Sequence, residues 1–138
     1  MTTPVVSELD PVTEGIASRF ITAVEQADFD TIVTEIYAPD AVIWHNNDNV
    51  CIGPAENIRV LTWLHGVATD LRYEDVRRLP TPKGYVQQHT LRAVTPAGDP
   101  IEVHACFVVT IENGRIVRLD EYLDKAASRP LDPYRPTA

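Results

Sequence analysis

Cysteine is scarce in this chain: Cys51 and Cys106 stand far apart, with no Cys-x-x-Cys pair. That excludes a disulfide framework and a zinc knuckle, and it suits a reducing compartment. No apolar run approaches the roughly 18 residues that a bilayer span requires, so no membrane association is expected. Basic residues are few: 12 Lys and Arg stand against 20 Asp and Glu, a net charge of −8. Neither nucleic acid nor an anionic membrane is therefore expected as a partner, because both reward basic patches. The one basic pair, Arg77-Arg78, sits beside Glu74 and Asp75 and reads as a solvated strand face. Met1 to Asp10 carries neither a basic nor an apolar stretch, so no signal peptide is expected and the protein reads as cytoplasmic. H-E-x-x-H, G-x-S-x-G and G-x-x-x-x-G-K-S/T are all missing, which removes zincin, serine hydrolase and P-loop readings. There are no internal repeats and no low-complexity segments.

What is there is an ordinary globular composition, 44% apolar and 23% charged over 138 residues. That length fits one domain, and folding buries roughly two-thirds of the unfolded chain's surface, so neither disulfides nor a structural metal is needed. Apolar residues at Val12, Ile16, Phe20, Ile21 and Val24 predict a helix over Pro11 to Gln26. Asp28 caps a second, short helix through Tyr37, with Phe29, Ile32, Val33 and Ile36 inward, and Pro39-Asp40 stops it. A short strand follows at Ala41 to His45, then turn residues Asn46 to Asn49. A third helix runs from Pro54 to Val67 with Ile58, Leu61, Trp63 and Leu64 as its buried set.

The remainder reads as strands: Leu71 to Leu79, Tyr85 to Val94, Ile101 to Ile111 and Arg115 to Leu123. Asn113-Gly114 between two apolar runs predicts that the last two pair as an antiparallel hairpin. Ile101 to Ile111 carries apolar residues on both faces, which predicts an outer sheet face covered by a second subunit. A homodimer through the sheet face is therefore expected. Residues 1–124 form a single domain, and 125–138 are a proline-rich tail expected to wrap the surface or stay disordered; its apolar tip, Leu131 and Tyr134, raises the question of a lid. Helices first and then a meander of strands is an α+β pattern: a cone-shaped curved antiparallel sheet, with three helices in the N-terminal half enclosing a cavity.

Four histidines carry most of the chemical information. Strand alternation places His45 on the face of Ala41 and Ile43, and His89 on the face of Gln87 and Leu91. In the last strand Val117, Leu119 and Glu121 share a face, so the Glu121 carboxylate is expected inside. A carboxylate there is costly unless it meets a histidine, a ligand or water. His45 and Glu121 are thus the expected functional pair. His104, between Val103 and Ala105, reads as a hydrogen-bonded core residue, and His65 as a surface one. Trp44 and Trp63 read as core or cavity wall, and Cys106 as an inert buried thiol. The spacing of His45, His89 and Glu121 has no metal signature, so neither metal nor cofactor is expected.

The segment Asp28-Phe29 followed by Tyr37-Ala38-Pro39-Asp40-Ala41-Val42-Ile43-Trp44-His45 resembles the "gD…yapDavw" stretch of SnoaL-like proteins. Glu112-Asn113-Gly114-Arg115-Ile116-Val117 with Asp120-Glu121-Tyr122-Leu123-Asp124 resembles their "dGkI…w.eyfD" hairpin. The resemblance covers roughly Val12 to Asp124 and implies the cone of the nuclear transport factor 2-like superfamily. It implies fold more than activity, because that fold hosts isomerases, cyclases, dehydratases, epoxide hydrolases and binders. The tyrosine that steroid isomerases carry on the first helix corresponds to Phe20. Their aspartate base falls on His45, and their second aspartate near Cys106 or Phe107, so steroid isomerisation is not implied. The arginine of limonene-type epoxide hydrolases falls on His89 and one of their aspartates on Leu91, which also counts against that chemistry. Glu121 matches a final-strand glutamate of phenazine-biosynthesis proteins. The histidine–acid pairs of polyketide cyclases and scytalone-type dehydratases could be imitated by His45, His89 and Glu121.

The expectation is a cofactor-independent acid–base enzyme of isomerase, cyclase or dehydratase type, acting on a small, apolar, cyclic molecule. His45 would be the general base, Glu121 would orient it or act as the acid, and His89 would donate to a substrate oxygen. Phe20, Trp63, Leu91 and Leu119 would form the apolar wall. The alternative is a binding or dimerisation module without chemistry.

Overall fold

The computed structural model describes residues 3–136. Helix α1 (Pro11–Glu25) is started by Asp10, whose carboxylate accepts from the Val12 and Thr13 amides, with Pro11 in the first turn. Its apolar face, Ile16, Phe20, Ile21 and Val24, is buried. The second helical segment begins as α2 (Phe29–Thr31) and widens into a π-helical stretch, Ile32–Ile36. Ile32 and Ile36 are buried as expected, but the wider winding leaves Val33 exposed. Helix α3 (Pro54–Val67) follows an uncapped Gly53.

Among the described residues seven strands form one sheet: β1 (Val6–Ser7), β2 (Tyr37–His45), β3 (Val50–Ile52), β4 (Thr69–Thr81), β5 (Gly84–Val94), β6 (Pro100–Glu112) and β7 (Arg115–Leu123). Their order is β1-β4-β5-β6-β7-β2-β3. Two pairings are parallel, β1 with β4 and β2 with β7, and the others are antiparallel. The short β1 and β3 were not legible in the sequence. β4 also runs on through Pro80, beyond the Leu79 boundary expected. Among the described residues its pairing with β1 ends at Ser7–Arg78, with one further bond from the Glu8 amide to the Arg78 carbonyl, and the edge beyond that tolerates proline. At the β6–β7 turn Asn113 and Gly114 both take positive φ, 51° and 76°, as a tight hairpin turn requires. Gly84 is obligatory for a different reason: a Cβ there would lie 2.0 Å from the Val109 carbonyl oxygen.

β6 alternates cleanly. Ile101, Val103, Ala105, Phe107 and Val109 face the helices, and Glu102, His104, Cys106, Val108 and Thr110 face outward. The outer face is thus only partly apolar. His104 is not a core residue: its side chain is 73% exposed, bonded to Thr90 and Glu102. Trp44 likewise lies on the outer side, its ring 5.1 Å from that of Tyr122.

Arg78 corrects the sequence reading most sharply. A bulge between Glu74 and Arg77, with Asp75 at φ 55°, advances β4 by one residue, so Tyr73, Val76 and Arg78 face inward. Arg77 stays in solvent, whereas Arg78 is 1% exposed. The buried guanidinium is neutralised by Glu14 of α1 and donates through Nε to Gln87 Oε1 at 2.9 Å. His65 is also more enclosed than expected, bonding the Val24 carbonyl and so tying α3 to α1.

The tail is ordered as a 3-10 helical segment, Lys125–Tyr134, laid against β6 and tied to α3 at Trp63. Among the described residues no helix is long and apolar enough to cross a membrane.

Candidate active site

The parallel pairing of β2 with β7 sets His45 directly opposite Glu121. Ile43 and Leu119 precede them on the same inner face, so both polar side chains follow apolar neighbours into the cone. His45 Nε2 lies 2.9 Å from Glu121 Oε1, and the two side chains are 21% and 17% exposed. Burial disfavours charge on His45, but the Glu121 hydrogen bond and charge, with Asp48 behind them, outweigh it. The imidazole pKa is therefore raised above the usual 6.5.

Two cavities open on this pair. The inner chamber, about 120 Å³, lies between α1, α3 and the sheet, with Phe20, Tyr37, Tyr73 and Leu119 in its wall. The outer chamber, about 160 Å³, lies toward the tail, with Trp63, Val103 and Leu131 in its wall. His45, Glu121, Val60, Leu64 and Leu91 line both. The histidine–carboxylate pair therefore stands at the waist of a two-lobed apolar space. A wider depression on the outer sheet face is more open than either chamber and holds, among the described residues, no ionisable pair of comparable burial.

The expected wall residues divide between the lobes: Phe20 and Leu119 in the inner, Trp63 in the outer, Leu91 in both. His89 faces inward as alternation required, yet it lines neither chamber. Its ring lies 4.8 Å from the Tyr73 ring and 4.5 Å from the Phe107 ring, and those two stand in the inner chamber's wall. The Gln87 amide nitrogen, 3.0 Å from His89 Nδ1, fixes the tautomer with hydrogen on Nε2. Burial, aided by Arg78 and opposed by Glu121, holds the His89 pKa down to about 4, so the ring is neutral at physiological pH.

Three polar residues of the inner chamber were not singled out in the sequence. Tyr37 donates to Asn57 Oδ1 at 2.8 Å, and both are buried. Tyr73 makes no side-chain hydrogen bond among the described residues, and burial, reinforced by the Glu121 charge, keeps its phenol protonated. The bulge that buries Arg78 comes after Tyr73; the weak alternation of the strand gave no face for Tyr73, and the charge of Arg78 pointed to solvent.

Residues 17–119 match the family described as the SnoaL-like domain. No curated protein matches the sequence. Among solved structures, similarity extends to a protein of Shewanella denitrificans OS-217 with the provisional name SnoaL-like polyketide cyclase. It is 16% identical, with 91% of this chain and 100% of that one covered at a TM-score of 0.73. A provisionally named isomerase of Bacillus subtilis is 14% identical over 90% and 94% of the two chains, at a TM-score of 0.75. PrhC of Penicillium brasilianum NBRC 6234 is 10% identical over 89% and 87%, at 0.76. Identities this low speak for the shared cone alone, whereas the sequence match spans well over half of the 138 residues. The chain belongs to the SnoaL-like domain family, and its fold is the α+β cone of the nuclear transport factor 2-like proteins.

Proposed function

We propose that the protein is a cofactor-independent acid–base enzyme that moves a proton next to a carbonyl group in a small, apolar, cyclic substrate. The observation that carries this reading is the His45–Glu121 pair, held 2.9 Å apart at the waist of the cavity. A polar pair surrounded by apolar walls is costly for stability alone, and such pairs concentrate where chemistry needs them. With Nε2–H donating to Glu121, the lone pair of His45 is on Nδ1, and the carboxylate holds both tautomer and ring orientation. In the proton abstraction, the substrate C–H bond breaks and its proton passes to Nδ1. The electron pair moves onto the carbonyl oxygen, giving an enolate. Tyr73, neutral and in the inner wall, donates to that oxygen, the part first expected of His89; His89 supports the Tyr73 ring from behind. Return of the proton to a different carbon completes an isomerisation, and the same intermediate serves a cyclisation or a dehydration.

The test is deuterium exchange at the α-carbons of β-tetralone in D2O, followed by proton NMR. The unaltered protein should accelerate exchange over buffer, and His45→Ala should abolish that acceleration while keeping the folded circular-dichroism spectrum. If the unaltered protein fails to accelerate exchange across a panel of one- and two-ring ketones, a carrier without chemistry becomes the better reading, consistent with the apolar walls.

A further inference from the structure

The tail supplies a wall that the family match, ending at Leu119, does not include. Asp124 caps the segment through the Ala126 amide at 3.0 Å. At its far end Trp63 Nε1 donates to the Tyr134 carbonyl at 2.8 Å, and the Arg135 guanidinium lies 5.1 Å from the Trp63 ring centre. Between these anchors a single residue is fully inserted: Leu131, 5% exposed, in the wall of the outer chamber. Asp132, Pro133 and Arg129 around it are exposed. The segment thus commits its one buried apolar side chain to the cavity.

The two chambers are of similar size. An apolar cavity of roughly 150 Å³ takes one six-membered aromatic ring, so chambers of about 120 and about 160 Å³ take about one ring each. His45 and Glu121 line both, and Leu131 only the outer. We infer that the tail residue Leu131 is the specificity-determining stop of the outer chamber, which limits the substrate to two fused or linked rings with the reacting carbon between them. The substrate class rests on the acid–base reading above; the role of Leu131 concerns binding and does not require it.

The experiment is calorimetric titration of the full chain with cyclohexanone, β-tetralone and anthrone, which present one, two and three rings. The unaltered protein should bind β-tetralone about tenfold or more tighter than cyclohexanone, since a second ring fills the outer chamber. Leu131→Trp should erase that advantage while leaving cyclohexanone affinity within about twofold, and Leu131→Ala should let anthrone bind. A tetralone-to-cyclohexanone ratio unchanged in Leu131→Trp overturns the inference, as does an equal loss for both ketones or no binding by any variant. If the ratio follows Leu131 while α-proton exchange is absent, the catalytic reading falls and the role of Leu131 stands. If exchange is lost in His45→Ala while the ratio is indifferent to Leu131, the catalytic reading stands and the role of Leu131 falls.

Discussion

Gln87 and Glu121 are the two cross-strand neighbours of Phe107, one on β5 and one on β7. The same transverse row continues to Arg78 beyond Gln87 and to His45 beyond Glu121. One line across the inner sheet face therefore holds a buried cation with its amide on one side and the histidine–carboxylate pair on the other. Phe107 stands between them, so the two polar groups meet the cavity differently. The His45 pair opens on it, whereas Arg78 and Gln87 line neither chamber and act on the site only through Gln87, which sets the His89 tautomer.

The raised His45 pKa makes a signed prediction for rate. Only neutral His45 accepts a proton, so exchange of β-tetralone should rise with pH along a limb centred above 6.5. Glu121→Gln removes the partner that raises the pKa and should move that limb toward lower pH. A limb that stays in place would separate it from His45.

The same shift predicts stability. Folding raises this pKa, so the ion pair stabilises fully below the unfolded value near 6.5, and that contribution fades as pH climbs through the folded value. Urea unfolding of the unaltered protein and of His45→Gln should differ more at pH 6 than at pH 9. A gap that widens with pH would contradict the shift.

Arg78 should matter for stability more than for chemistry. Glu14→Gln strands a guanidinium that is 1% exposed, and because Glu14 is itself 30% exposed the cost should be roughly 2–3 kcal/mol, below that of a wholly buried pair. Replacing both, Glu14→Leu with Arg78→Met, should cost less than the two single changes together, which a double-mutant cycle in urea measures. Additive losses would mean that the two side chains do not depend on each other.

Two tyrosines of the inner chamber should separate by assay. Tyr37→Phe leaves the Asn57 oxygen without its donor and should lower stability by about 1–2 kcal/mol. Tyr73→Phe removes a phenol with no such bond, so melting should hardly change while kcat for exchange falls about a hundredfold at constant KM. An unaltered kcat would remove Tyr73 from the mechanism.

We further propose that the outer sheet face pairs two copies of the chain around Trp44, Val108 and Tyr122; Val108 and Tyr122 are 36% and 48% exposed. Sedimentation at micromolar concentration should give a dimer, and Tyr122→Asp should give a monomer. A monomeric unaltered protein would end that proposal.

Helix α1, the inward face of β7 and the Asn113-Gly114 turn were written in local pattern, because a helical stripe, strand alternation and a two-residue turn each depend on near neighbours. On those grounds His45 and Glu121 were placed inside the cone, and the paired motifs around them pointed to the family. What the sequence could not determine was adjacency and phase. The parallel register that sets His45 against Glu121 joins strands 76 residues apart, and no local signal encodes such a pairing. One bulged residue at Asp75 reversed the face of Arg78, since side chains alternate with a period of two. Leu131 became a cavity wall through contacts distant in sequence, among them the Trp63 indole that supplies a donor for the last turn of a proline-rich tail.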